Sequence, residues 1–331
     1  MDRRIFLTAA TAALALPALA RASNLTPLLT EAEALDGLRA IALWRDGAEI
    51  AARGYGGWTP DRPTNIKSAS KSVVSALAGI AIARGHLEGA GQPIAPILQA
   101  DLPPDPDPRL AQVTLGHLLS MQAGLERQSG ANYGRWVSSP NWVRAALAAP
   151  FTQDPGGRMQ YSTASTHLVA AILTRMTGRP ALELARDWLG PVPGFAITGW
   201  DRDPQGIHLG GNQMAMSTRS LLAFGTLYAQ QGRAGGRQVV PESWIAESWQ
   251  RRTASIFSGQ GYGYGWFIGQ LGGRDVRYGW GYGGQMVYVF PAARGRPAAV
   301  IAITSDPDRP SARTGYRNRL HDLAGRMVGT L

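Results

Sequence analysis

The chain has 331 residues, 44% of them hydrophobic and 17% charged, and carries a net charge of +10. That length and balance fit a soluble globular protein with a sizeable core, and the lack of any cysteine excludes disulfides, lipoprotein anchoring and thiolate metal sites. The positive charge lies on scattered, mostly single arginines with no basic run, zinc-finger spacing or helix-turn-helix pattern, so nucleic acid is not an expected partner.

At the N-terminus, Asp2-Arg3-Arg4-Ile5-Phe6-Leu7 precedes an Ala- and Leu-rich stretch reaching Ala20. This reads as a twin-arginine export signal, with Ala20-Arg21-Ala22 as a small-x-small cleavage site before Ser23. The apolar stretch is short for a membrane span; an uncleaved anchor helix is the other reading. The expectation is that residues 1–22 are removed and that 23–331 form one periplasmic domain with no stable membrane anchor.

Residues 38–54 alternate weakly around Asp46-Gly47, a hairpin signal. Residues 66–84 are small and apolar with helical period and stop at Gly85, with Thr64 or Asn65 as N-cap. Residues 91–112, rich in Pro and Asp, read as loop. Thr114 opens a helix that runs to Met121 and closes at Gly124. Helices are expected over 161–177, before Gly178-Arg179-Pro180, over 217–231, capped by Ser217 or Thr218, and over 311–327. From residue 259 Gly and Tyr alternate, and Met286–Phe290 and Ala298–Thr304 read as strands with a turn near Gly295. Strands at both ends with helices between predict an α+β fold: an antiparallel sheet built from both chain ends, flanked by helices, with a helical insertion. The α/β lobe would take about 23–95 and 240–331, and the helical lobe about 96–239, without a split into independently folding domains.

Of the 33 Lys and Arg residues only two are lysines, Lys67 and Lys71, and they bracket Ser68-Ala69-Ser70. Arg stays protonated in any protein site, whereas a buried Lys can lose its proton and act as a base. Ser68-x-x-Lys71 is the only such spacing in the chain. At i and i+3 on a helix the two side chains share a face, their Cβ atoms about 5–6 Å apart. A serine hydroxyl is a poor nucleophile until a base takes its proton, and burial gives a lysine amine that capacity. Free N–H groups at a helix start would stabilise an oxyanion. A capped helix with a surface lysine is the alternative reading of the same residues.

Further segments carry a resemblance. Val113 to Leu125 (Val-Thr-Leu-Gly-His-Leu-Leu-Ser-Met-Gln-Ala-Gly-Leu), Tyr161-Ser162-Thr163 with Leu168 to Gly178, Gly210-Gly211 with Met216-Ser217-Thr218-Arg219, and Gly281-Tyr282-Gly283-Gly284-Gln285 follow Ser68-x-x-Lys71 in order. Together, from about Leu38 to Thr304, they resemble the serine β-lactamase and penicillin-binding-protein superfamily, in particular the branch of class C β-lactamases, esterases and 6-aminohexanoate-oligomer hydrolases. The resemblance implies a β-lactamase/transpeptidase-like fold, no cofactor or metal, and a small-molecule substrate. It implies Ser68 as acylated nucleophile, Lys71 as its proton acceptor and Tyr161 as general acid or base. The Ser68 N–H and a backbone N–H near Tyr282 would form the oxyanion hole. Thr163, Trp280, Gly281, Gly283 and Gly284 would contact substrate. A plain strand turn is the alternative reading of the glycines.

Two departures bear on substrate. Thr163 stands where the family usually has Asn, and Trp280-Gly281 occupies the place of the cation with which penicillin-recognising relatives hold a carboxylate. Both favour carboxylic esters or small amides over the second reading, a β-lactamase or D-alanyl-D-alanine carboxypeptidase. A non-catalytic binding domain of the same fold is the third. There is no Gly-x-Ser-x-Gly elbow, and His86, His117, His167, His208 and His321 lack metal spacing; His117 reads as a packing residue. Trp136, Trp142, Trp266, Trp280 and Tyr282 read either as an acyl pocket or as core.

Overall fold

A computed structural model describes residues 24–293 and 295–331; the export-signal reading of 1–22 lies outside them. Helix α1 (residues 24–31) leads into the hairpin of β1 (Leu38–Arg45) and β2 (Ala48–Gly54). β3 (Thr64–Asn65) and a 3-10 turn (Lys67–Ala69) introduce α2 (Ser70–Ala83). Then come α3 (Leu115–Leu119), α4 (Tyr133–Val137), α5 (Trp142–Leu147), α6 (Thr163–Thr177) and α7 (Ala181–Trp188). β4 (Gly199–Trp200) and β5 (Met214–Met216) join β3 in a small antiparallel sheet. After α8 (Thr218–Ala229), the hairpin β6 (Arg233–Ala234) and β7 (Arg237–Gln238), and α9 (Glu242–Ser248), the chain forms β8 (Thr253–Ala254), β9 (Gly261–Tyr262), β10 (Phe267–Leu271), β11 (Arg274–Trp280), β12 (Met286–Phe290) and β13 (Ala299–Ser305). α10 (Tyr316–Gly329) closes it.

The main sheet has eight antiparallel strands in the order β2-β1-β13-β12-β11-β10-β9-β8. The N-terminal hairpin is thus zipped onto the last strand, Leu38 opposite Ser305 and Arg45 opposite Ala299. Asp46 (φ 52°) and Gly47 (φ 90°) are both left-handed, the twist a two-residue hairpin turn needs. Alternation divides the core. Ala42, Trp44, Val287, Val289, Val300 and Ala302 face α2 and α8, while Ile41, Leu43, Met286, Tyr288, Phe290, Ile301 and Ile303 face α1 and α10. Both faces are covered, so the central strands read as nearly continuous apolar runs.

α2 is the central helix, buried from Ser70 to Ala81 between the sheet and α6 and α7. Its small side chains allow this: a Cβ on Gly79 would collide with the Trp244 indole. α8 lies on β1, β12 and β13, and Gly225 lets it approach Val287 and Val300 closely. That moves 217–231 from the expected helical lobe to the sheet.

Several local expectations change. Thr64 and Asn65 do not cap α2; they pair with Met216 and Ala215, and the helix is entered through the 3-10 turn with no side-chain cap. Residues 91–112 contain two 3-10 turns, Gln99–Asp101 and Pro108–Gln112. His117 is more than a packing residue: Thr114 Oγ1 accepts from the His117 N–H, and the His117 ring nitrogen accepts from the Thr114 N–H, a closed capping box. The last helix starts at Tyr316 rather than 311. Among the described residues no helix is long and apolar enough to cross a membrane.

Candidate active site

The turn bearing Ser68 is tied on both flanks. The Ile66 N–H donates to the Met214 carbonyl (2.8 Å), the Lys67 N–H to Asn65 Oδ1 (2.8 Å) and Ser70 Oγ to the Lys67 carbonyl (2.7 Å). Lys67 itself is left-handed, φ 48°, a conformation costing a non-glycine residue about 1–2 kcal/mol. These bonds hold Ser68 on the turn before α2 rather than in the first turn of the helix proper.

Lys71 follows on α2 and is only 2% exposed. Its Nζ lies 2.9 Å from Ser68 Oγ, 2.8 Å from the Gly211 carbonyl and 3.5 Å from Thr163 Oγ1, and 5.1 Å from the centre of the Tyr161 ring. Burial pulls its pKa down to about 7, because the charged form loses its hydration. A neutral amine has two N–H donors and one lone pair. The Gly211 carbonyl and Thr163 Oγ1 can take the two donors, which leaves the lone pair for the Ser68 hydroxyl proton.

Tyr161 is buried just before α6, and burial pushes its phenol up to about 12, against opposing pulls from a hydrogen bond with Ser68 and the charge of Arg127. Its ring is fixed edge-on to Phe257 (5.2 Å) and Tyr262 (6.2 Å) and stacked on Phe267 (6.3 Å). Thr163, the first residue of α6, turns inward. Its N–H donates to Ser129 Oγ (2.8 Å) and its hydroxyl lies 3.0 Å from the same atom. The hydroxyl expected to meet substrate is thus engaged by Lys71 and Ser129.

β11 passes beside the Ser68 turn: a Cβ on Gly279 would lie 2.9 Å from Ser72 Oγ and 3.6 Å from the Ala69 carbonyl. In the tight turn that follows, the Gly281 N–H donates to the Gln285 carbonyl (2.7 Å), the Gly284 N–H to the Gly281 carbonyl (2.9 Å) and the Gly283 N–H to Gln285 Oε1 (3.0 Å). Among the described residues the Ser68 and Tyr282 N–H groups donate to nothing. Tyr282 stands exposed at this turn, at 53%. The glycines have a different reason from the expected one. Side chains at Gly281, Gly283 and Gly284 would run into Ile66 and Gln285, the Asp306 carbonyl, and Tyr316 with Leu320 respectively, so the protein's own atoms fill the space that substrate was expected to use.

Trp280 is buried, its Nε1 donating to Ser311 Oγ (3.0 Å). Phe257 lies edge-on to both Tyr161 and Trp280 (5.5 Å to the latter) and joins them into one aromatic wall. The other proposed pocket aromatics are core: Trp136 and Trp142 pack on His167, and Trp266 is enclosed by Phe224, Tyr228 and Trp249. Sequence reasoning missed Phe257, Ser129 and the carbonyl role of Gly211. The Gly210-Gly211 pair was a signal for the last; an isolated Phe in a polar loop and a single Ser gave none. Among the described residues no three His, Asp or Glu side chains gather as a metal site.

A family model described as Beta-lactamase matches residues 31–324. No curated protein matches the sequence. Solved structures share the fold at low identity. EstCE1, a hydrolase with promiscuous acyltransferase activity, is 17% identical with a TM-score of 0.74, the match covering 94% of this chain and 100% of that one. A family VIII carboxylesterase is 16% identical with a TM-score of 0.71, covering 93% and 97%. A penicillin-binding-protein homologue from Caulobacter crescentus is 16% identical with a TM-score of 0.69, also covering 93% and 97%.

Proposed function

The chain belongs to the β-lactamase family, and from that premise we propose a serine hydrolase working through an acyl-enzyme on Ser68, with carboxylic esters or small amides as substrates. The observation that carries the reading is a buried amine with a pKa near 7 placed 2.9 Å from a serine hydroxyl. Lys71 takes the Ser68 proton as Oγ attacks the carbonyl carbon, and the Ser68 and Tyr282 N–H groups receive the oxyanion. Tyr161, protonated at neutral pH because its phenol sits at about 12, is suited to protonate the departing alcohol or amine as the carbonyl bond to it breaks. The proton held on Lys71 then passes to the Tyr161 phenolate through the same network and leaves the amine neutral; water attacks the Ser68 ester as Lys71 takes its proton, and that proton returns to Ser68 Oγ as the ester bond breaks and the acid leaves.

Esters are favoured over β-lactams because the place of the carboxylate-holding cation is taken by the buried Trp280, and nearby Lys67 is occupied by Asp308 at 3.2 Å. The wall of Tyr161, Phe257 and Trp280 suits an apolar acyl group. EstCE1 and the family VIII carboxylesterase support the ester reading by fold. The Arg3-Arg4 signal supports work in the periplasm. The test is intact-mass labelling by a serine-reactive phosphonate: the wild type gains one adduct and Ser68→Ala none. Lys71→Arg keeps less than about a tenth of wild-type kcat, since Arg cannot accept the proton. A full adduct on Ser68→Ala, or an active Lys71→Arg, defeats the proposal.

A further inference from the structure

Two fully buried polar side chains have no part in the chemistry above. His167 on α6 and Asp203 in the loop before β5 are 0% exposed, with His167 Nε2 3.0 Å from Asp203 Oδ2. The other ring nitrogen, Nδ1, lies 3.4 Å from the Gly210 nitrogen. A backbone N–H can only donate, so Nδ1 accepts, and the ring proton sits on Nε2 and is donated to Asp203. Asp203 is anchored in turn: its Oδ1 accepts from the N–H groups of Gln205 (2.9 Å) and Ile207 (2.8 Å). The His167 ring is held by Trp136 and Trp142, 5.6 and 5.7 Å away. Gly210 lies flush on α6, where a side chain would strike the Thr166–His167 backbone. The next residue, Gly211, supplies the carbonyl that takes a hydrogen from Lys71 at 2.8 Å.

We propose that Asp203 and His167 are positioning residues for Lys71: the pair docks the Gly210-Gly211 loop on α6 so that the Gly211 carbonyl holds the amine with its lone pair on Ser68. The inference rests on Lys71 being the base. It explains why α6 carries a buried imidazole one turn after Thr163, the other group that holds the amine. Both contacts to Nζ are then referred to one helix, and the His167 link extends to Asp203 beyond it.

Asp203→Asn tests this with little change of shape. An amide side chain can keep an oxygen for Gln205 and Ile207 but presents an N–H to His167 Nε2. The imidazole must then carry its proton on Nδ1, facing the Gly210 N–H, where two donors repel. The loop shifts and water reaches Nζ. The expected result is a ten- to hundredfold fall in kcat, on the order that a misplacement of about 1 Å costs, with KM within about twofold and the His167 tautomer reversed by 15N NMR. With only two lysines in the chain, [13Cε]lysine labelling in a Lys67→Arg background leaves Lys71 as one resonance. Its midpoint is expected to rise by about half a unit or more as hydration is restored. Should Asp203→Asn fail to fold, His167→Met with Asp203→Asn removes the acceptor for Gly210 while keeping volume, and the same losses are expected. Wild-type kcat and an unmoved Lys71 midpoint in a folded variant overturn the proposal. A wild-type Lys71 titrating near 10.4, the usual lysine value, instead defeats its role as base.

Discussion

Replacing Gly211 by Ala separates backbone strain from contact with the Lys71 amine. Gly211 is left-handed, φ +80°, and a Cβ there would lie 2.9 Å from both Cγ and Nζ of Lys71 and 3.0 Å from Thr166 Cβ. Comfortable carbon contacts begin near 3.5 Å, so the lysine must yield by roughly 0.5–1 Å, a displacement that can cost about a hundredfold in rate. The left-handed backbone adds about 1–2 kcal/mol of destabilisation. Gly85 is the matched control: its φ is +76° and nothing lies within 4 Å of its would-be Cβ. Gly85→Ala should lose the same 1–2 kcal/mol or so with no loss of rate per folded molecule. Melting curves and kcat/KM for p-nitrophenyl acetate on both variants decide it. If Gly211→Ala matches Gly85→Ala in activity, the Gly211 contact does not hold the amine where catalysis needs it.

Hydrolysis should rise through an apparent pKa of about 7 as Lys71 loses its proton, with no alkaline fall from Tyr161 below pH 10 or so, since its phenol sits at about 12; a flat kcat/KM profile from pH 5 to 9 refutes this. The same depressed pKa makes stability climb between pH 7 and 10 or so, because there the unfolded chain holds a proton on Lys71 that the folded one has shed; urea unfolding at pH 7 and 9 should show a slope that Lys71→Met removes. Short-chain p-nitrophenyl esters should outpace nitrocefin in kcat/KM on the same preparation by tenfold or more, the value of about one charge-assisted hydrogen bond. If nitrocefin wins, Arg317, 4.9 Å over the Trp280 ring, becomes the candidate carboxylate holder. Replacing Arg3 and Arg4 together by Lys should leave precursor in the cytoplasm; unchanged periplasmic yield on fractionation would refute twin-arginine export.

What the sequence disclosed follows from how local each signal is. Asp46-Gly47 announced its hairpin because two left-handed residues in a row admit few side chains. β12 and β13 were legible as apolar strands, whereas β1 showed only as weak alternation leading into that turn. The scarcity of lysine pointed to Lys71 because only a deprotonable cation serves as a base. The entry to α2 was misjudged because Thr64 and Asn65 have good capping chemistry, yet pairing with β5, some 150 residues away, won over it. Gly281, Gly283 and Gly284 were legible as a turn but not as a packing necessity, since Asp306, Tyr316 and Leu320 come from later elements. Phe257, Ser129 and the His167–Asp203 pair depend on contacts between distant segments, which no spacing in the chain encodes.

The seam between β1 and β13 has a consequence for how the molecule comes into being. The first strand made has no permanent partner on one edge until almost the last strand has been made, because Leu38 must meet Ser305. Closing so long a loop is entropically unfavourable and slow, and until then β1 presents a bare apolar edge open to aggregation. The Ser68 turn is built against β5 and packed under β11, so a nascent chain lacking those strands owns a serine and a lysine but not the geometry that joins them. Appearance of the proposed hydrolase activity during refolding should therefore trail collapse and report the final zipping of the sheet.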